Sequence, residues 1–252
     1  MRFASLGSGS KGNSTLVEAD GALVMIDCGF SVRETLKRLD RLGVEPDSID
    51  GILVTHEHSD HCSGVAALSR KFEIPVYLTH GTYGSGRCEK AFSYQLFNCH
   101  DRFQIGALEI QPVAVPHDAR EPCQYRLGHD GVSLGVLTDL GSITPHVVSS
   151  FHGCDALVLE FNHDLDMLYA GSYPQHLKRR VGGDWGHLNN RQAAQLLEAV
   201  AGDNLRQLVI AHISENNNTR AMAEQALASV WSEKQQPIWA AQATGFDWLT
   251  LT

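Results

Sequence analysis

His56-Glu57-His58-Ser59-Asp60-His61 puts four metal-capable side chains within six residues. Imidazole nitrogens and carboxylate oxygens are the donors that suit zinc, manganese or iron. Two ligand sets this close can hold two divalent ions side by side. Ions about 4 Å apart can activate a water and stabilise both oxygens of a displacement. His56 and His58 stand at i and i+2 after the apolar run Ile52-Leu53-Val54, so in extended backbone they point the same way. Asp60 and His61 fall where the next helix is expected to begin, so the chain turns and offers a second pair. One ion would take His56 and His58, the other Asp60 and His61. Each needs further donors.

Three distant segments repeat one pattern, an apolar strand closed by a single donor. Val113-Ala114-Val115-Pro116 leads to His117, Gly135-Val136-Leu137-Thr138 to Asp139, and Leu208-Val209-Ile210-Ala211 to His212. Functional side chains commonly sit where strands of a rigid sheet end. Any one of these alone reads equally well as a hydrogen-bonded strand-end group. Beside the six-residue cluster, metal binding is the better reading.

Other stretches could handle a phosphate or a proton. The loop Gly7-Ser8-Gly9-Ser10-Lys11-Gly12-Asn13-Ser14 can expose backbone N–H groups as an anion nest, with Ser8, Ser10 and Asn13 as phosphate contacts. It reads equally as a flexible hairpin turn. His163 follows an apolar strand and is a candidate general acid or a structural histidine. His187 precedes a helix capped by Asn189 or Asn190, where free N–H groups can hold a phosphate. Ser214 and Asn217 stand in a similar position after His212. Lys178-Arg179-Arg180 is the only basic cluster, a solvated face or a guide for a polyanion. Trp185 and Tyr173 could stack on a base, though ordinary packing is the commoner fate. Cys62 is a packing residue before it is an accessory ligand.

Short strands are expected over Phe3 to Leu6, Thr15 to Glu18, Ala22 to Asp27 and Gly51 to Thr55. Further strands follow over Pro75 to Leu78, Leu108 to Val115, Gln124 to Gly128, Val132 to Thr138, Ala156 to Phe161 and Arg206 to Ala211. Ser31 with Glu34 predicts a capping box opening a helix to Leu42, closed by Gly43. Helices are also expected over Ser63 to Phe72, Asn190 to Val200 and Thr219 to Trp231. This order suits two sheets packed face to face with helices outside. The 252 residues contain no Pro- or Ser-rich linker, so one domain over 1–252 is expected.

A net charge of −9 argues against a protein that coats nucleic-acid backbone broadly. It does not argue against gripping a strand end in a metal pocket, because bound ions bring their own positive charge. The six cysteines are scattered, no secretory segment precedes them, and no run approaches 18 apolar residues. A reduced cytoplasm and no membrane span are expected.

His56-x-His58-x-Asp60-His61, with Asp27 before it and His117, Asp139 and His212 after it, resembles the motif set of the metallo-β-lactamase fold superfamily. The resemblance spans nearly the whole chain. It implies an α/β four-layer αββα sandwich with a binuclear site at one edge of the sheets. His56, His58 and His117 would hold one ion; Asp60, His61 and His212 would hold the other. Asp139 would bridge them, and Asp27 would pin the ligand loop. The Gly7 to Ser14 loop, Pro116-His117-Asp118-Ala119, Glu160-Phe161-Asn162-His163-Asp164, Gly186-His187-Leu188-Asn189-Asn190 and His212-Ile213-Ser214 with Asn217-Asn218 are similar to the WalJ/YycJ-like branch. Members of that branch are phosphodiesterases, including 5′→3′ exonucleases on DNA. The implied chemistry is attack by a metal-bridging hydroxide held at a site that includes Asp60. His163, His187 or a metal-held water would protonate the leaving 3′ oxygen. The ions would be zinc or manganese, with iron allowed, and a homodimer is not excluded. The competing readings are a hydrolase of a small thioester, lactone or cyclic phosphodiester, and a metal-stabilised binding protein without turnover.

Overall fold

Runs such as Leu23-Val24-Met25-Ile26 and Leu157-Val158-Leu159 are apolar at successive positions. Strands of that kind have to be covered on both faces. The computed structural model, which describes residues 1–231 and 236–252, covers them with four layers. The first sheet holds β1 (Arg2–Gly7), β2 (Ser14–Ala19), β3 (Ala22–Ile26), β4 (Gly51–Leu53), β5 (Pro75–Thr79) and β6 (Ser93–Phe97) in sequence order. The second holds β7 (Phe103–Ile105), β8 (Leu108–Ala114), β9 (Cys123–His129), β10 (Val132–Leu137), β11 (Ala156–Glu160), β12 (Gln207–Ala211) and β13 (Ile238–Trp239). The last strand, β14 (Phe246–Thr250), returns to pair with β1 in the first sheet.

The helices are α1 (Val32–Arg41), α2 (Ser59–Cys62), α3 (Val65–Phe72), α4 (His80–Gly84), α5 (Pro145–Phe151), α6 (Leu165–Ala170), α7 (Gln175–Val181), α8 (Asn190–Val200) and α9 (Arg220–Leu227). Parity along each strand sorts the core. Val17, Val24, Leu53, Leu134, Val136, Val158 and Val209 meet between the sheets. Their neighbours Leu16, Leu23, Met25 and Ile52 face outward and pack with Leu39 of α1 and Leu68 of α3. Leu157, Leu159, Leu208 and Ile210 face outward with Phe151, Leu196, Leu197 and Leu227 from α5, α8 and α9. A one-residue slip would exchange the two faces, so burial pins the register.

Strand direction assembles the site. β3 to β6 run parallel, as do β10 to β13. β8 shares the direction of β10 because both are antiparallel to β9. The C-terminal ends of β8, β10, β11 and β12 therefore open on one edge of their sheet. Asp27, His56, His117, Asp139 and His212 all lie within three residues of such an end, and Glu160 closes β11.

Several elements depart from expectation. The helix anticipated from Ser63 is preceded by the separate turn α2, and α9 stops at Leu227. Ser31 Oγ accepts from Glu34 N at 3.3 Å, but Glu34 pairs with Arg38 at 2.8 Å, so the box is half made. Gly43 closes the helix at φ +66°. β6, β7 and α4 to α7 carry too weak a period over too few residues to be read in advance. Lys178 is buried, with Nζ donating to Tyr169 O at 2.7 Å, so the basic run is not a uniformly solvated face. Among the described residues no helix is long and apolar enough to cross a membrane.

Candidate metal centre

Four histidines of the cluster, His56, His61, His117 and His212, are held at Nδ1 by an oxygen. His61 Nδ1 lies 2.8 Å from Asp27 Oδ2, and His56 Nδ1 lies 2.9 Å from Thr55 Oγ1. His117 Nδ1 donates to Gly186 O at 2.9 Å, and His212 Nδ1 to Thr138 O at 2.7 Å. Such ties fix tautomer and ring orientation in metal sites and leave Nε2 as a lone pair.

Those lone pairs converge. His56, His58 and His117 bring one donor each to within 4.8 Å of one another, and so do Asp60, His61 and His212. Asp139 joins the two sets, with Oδ2 3.0 Å from His61 Nε2 and Oδ1 3.8 Å from His117 Nε2. His117 Nε2 faces His58 Nδ1 at 3.2 Å. The buried His56 Nε2 has no hydrogen-bond partner. Facing lone pairs and an orphaned buried nitrogen cost free energy unless a cation sits among them. The residues therefore fit divalent metal.

The backbone is strained where it delivers two of these groups. Asp27 has φ +59° and His212 φ +49°, left-handed values that cost of order 1 kcal/mol or more in non-glycine residues. The turn holds Asp27 under Thr55, whose N and Oγ1 both donate to its carboxylate at 2.8 Å. It also sets His212 N on Ser8 Oγ at 2.9 Å. Gly29 lets the ligand loop close, since a Cβ there would stand 1.8 Å from Asp60 O.

The candidate phosphate contacts separate. Ser8 Oγ is engaged by His212, and Asn13 reaches His61 Nε2 at 3.1 Å and accepts from Gly9 N at 2.8 Å. Ser214 is buried and accepts from Asn217 N at 3.2 Å; Asn217 is buried beside it. Ser10 is exposed. The two histidine candidates for proton transfer separate as well. His163 is fully buried, its Nε2 has no partner, and it belongs to neither donor set. His187 lies at the cluster, its Nδ1 3.0 Å from Glu160 Oε2 and 3.6 Å from Asp139 Oδ1.

A family model described as "Beta-lactamase superfamily domain" matches residues 23–213. The chain belongs to the beta-lactamase superfamily. Within it, the chain is 34% identical over 241 residues to "Exodeoxyribonuclease YycJ" of Bacillus anthracis, covering 93% of this chain and 90% of that one. It is 30% identical over 236 residues to "Exodeoxyribonuclease WalJ" of Streptococcus pneumoniae, covering 91% and 87%. The metallo-β-lactamase fold protein YhfI from Bacillus subtilis superposes with TM-score 0.77 over 99% of both chains at 14% identity. The expected αββα sandwich and the WalJ/YycJ-like branch are thus both found. The superfamily and the clustered donors make the chain a metal-dependent hydrolase that uses divalent ions.

Glu160 had no role in the sequence reading, although it ends an apolar strand as Asp139 nearly does; that pattern could have found it. Asp118 stood in one motif and Arg180 in the basic run, but nothing in the sequence signals that the two pair across 62 residues. Their side chains pair over the site, with Asp118 Oδ1 3.6 Å from His58 Nε2 and 3.5 Å from His117 Nε2.

Charge divides this superfamily site. Burial opposes protonation of His212 and His61, but Asp139 outweighs it, holding His212 at about 9 and His61 well above the usual range. Burial lowers His117, His163 and His187 to about 4. In chelated protein these shifts predict a stability maximum near pH 6.5. Below it, the unfolded chain takes up protons that the folded chain refuses until about pH 4. Each of the three lowered histidines then costs about 1 kcal/mol per pH unit. Above it, the stabilisation of protonated His212 is lost as pH rises through about 9. Thermal unfolding of EDTA-treated protein from pH 5 to 9 checks this; a flat profile refutes it.

Proposed function

We propose that this chain is a two-metal phosphodiesterase of DNA, acting as an exonuclease, and that residues 1–252 form one hydrolase domain. The observation that carries the reading is the pair of three-donor sets joined by Asp139. The exodeoxyribonuclease activity named for relatives matched over most of their length supports DNA as substrate. His56, His58 and His117 would hold one ion and Asp60, His61 and His212 the other, zinc or manganese, with Asp139 shared. All these donors come from one chain, so a monomer suffices. The ions, when bound, supply a water acidic enough to lose its proton near neutrality and positive charge for the phosphoryl oxygens.

The protein supplies orientation and a proton. Thr55, Asp27, Gly186 and Thr138 hold the imidazoles in one tautomer. Burial raises Glu160's carboxyl and lowers His187's imidazole, so one proton is held between them. His187 passes a proton to the leaving 3′ oxygen and is recharged from Glu160. His163 has no part in this transfer; its carbonyl accepts from Asn190 N at 2.8 Å at the start of α8.

The test is digestion of 5′- and 3′-labelled single- and double-stranded oligonucleotides by enzyme reconstituted with Zn²⁺ or Mn²⁺. Stepwise release of nucleotides from one end is expected. Turnover of a thioester or lactone with intact DNA would replace this reading. His187→Ala should lower kcat on DNA about 10²-fold, the scale of general-acid catalysis. The loss should shrink on bis-p-nitrophenyl phosphate, whose leaving group needs no proton. Equal losses on both substrates would remove His187 from proton transfer.

A further inference from the structure

The segment from Arg180 to His187 touches the donor cluster at three points. Arg180 pairs with Asp118, and its Nη2 lies 3.5 Å from His58 Nε2. Gly186 O accepts from His117 Nδ1 at 2.9 Å, and His187 pairs with Glu160. Trp185 stands between these contacts on a fixed backbone. Gly186 N donates to Gly183 O and His187 N to Val181 O, both at 2.9 Å. Gly141 packs so close that a Cβ there would lie 2.5 Å from Trp185 Cα. Yet Trp185 is 63% exposed, more than any other large apolar side chain among the described residues. An indole gains by burial, and this loop is not free to fold it back.

We propose that Trp185 stacks on a base of the DNA strand while Arg180 holds a neighbouring phosphate beside His58, which makes this segment the nucleotide-binding arm. The proposal rests on the reading of the chain as a DNA hydrolase. Stacking suits a nuclease that must accept any sequence, because every base offers a π face. It also answers the charge problem. A net charge of −9 does not suit holding a strand by broad coating of its backbone. One guanidinium and one exposed indole beside the metals provide a local grip instead.

The test uses metal-reconstituted enzyme and fluorescently labelled oligonucleotides with phosphorothioate ends for binding, and their phosphodiester counterparts for kinetics. Trp185→Ala should raise Kd and KM about 10- to 100-fold, the scale of one base–aromatic stack, with a smaller change in kcat. Trp185→Phe should restore most of the affinity. With wild-type enzyme, an abasic residue at one of the first three positions should cost the same factor. On that substrate Trp185→Ala should cost nothing more. Arg180→Ala should weaken intact and abasic strands alike and reduce the salt slope by about one.

Wild-type affinity in Trp185→Ala would overturn the proposal, as would a loss that persists on every abasic strand. DNA bound through Trp185 but not cleaved would refute the hydrolase reading and leave the stack. Normal cleavage with an indifferent Trp185 would do the reverse. Absence of any binding overturns both.

Discussion

Asp139→Ala should cut DNA hydrolysis by at least about 10³-fold while the protein stays folded. The carboxylate is buried, and its ion-pair contacts go to His61, His117, His187 and His212, all within the donor cluster. Burial raises its proton affinity, but His212 and His61 outweigh that and hold it ionised well below the usual carboxylate range. It is therefore the permanent negative charge between the two donor sets. Without it, the two donor sets would keep Asp60 and the Arg180-paired Asp118 but lose the one carboxylate that touches both. Metal-ion stabilisation of a displacement is worth several kcal/mol, and about 4 kcal/mol is a factor of 10³. Metal analysis should show at least one ion lost per chain. Circular dichroism should be near that of the wild type, because Asp139 belongs to none of the apolar core clusters that hold the sheets and helices together. His58→Ala should behave similarly. Near-normal turnover by a metal-analysed Asp139→Ala protein would remove the two-metal reading.

Asp27→Ala should be felt in stability first. Asp27 is buried, and its two oxygens accept from Thr55 N, from Thr55 Oγ1 and from His61 Nδ1. Removing one partner of a buried hydrogen-bonded ion pair costs about 3–5 kcal/mol, because the donors left behind stay dry and unpaired. Relief of the left-handed φ at position 27 is not available, since alanine suffers there too. His61 would lose the contact that fixes its ring, so metal affinity should also fall about 10- to 100-fold. Urea unfolding of the chelated variant isolates the first effect, and metal titration the second. A stability loss below about 1 kcal/mol would show that water replaces the carboxylate freely. Asp27→Asn keeps the acceptor for Thr55 N and should recover part of the loss.

Much of this was legible in the chain. His56, His58, Asp60 and His61 are close in sequence, so local geometry alone brings them together. His117, Asp139 and His212 announced themselves as polar residues closing apolar strands, because a strand buried on both faces can place a donor only at its end. Glu160 obeys the same rule and was overlooked because His163, three residues on, is the more conspicuous group. The Gly7 to Ser14 loop was legible as a turn but not in its employment. Ser8 and Asn13 present the same chemistry to a phosphate as to His212 N and His61, and sequence does not say which neighbour arrives.

Residue type, strand parity and the spacing of polar strand ends were determined by the sequence alone, since each depends on covalent neighbours and on the two-residue pleat. That was enough for the layers and the donors. The tertiary structure decided which nitrogen of His56, His61, His117 and His212 is free and that His187, not His163, lies against the donor cluster. It also decided that Arg180 meets Asp118 across 62 residues and that Trp185 stands exposed next to Gly186 and His187 of the donor cluster. These outcomes depend on distances between segments far apart in the chain, and such distances exist only once the two sheets have closed on each other.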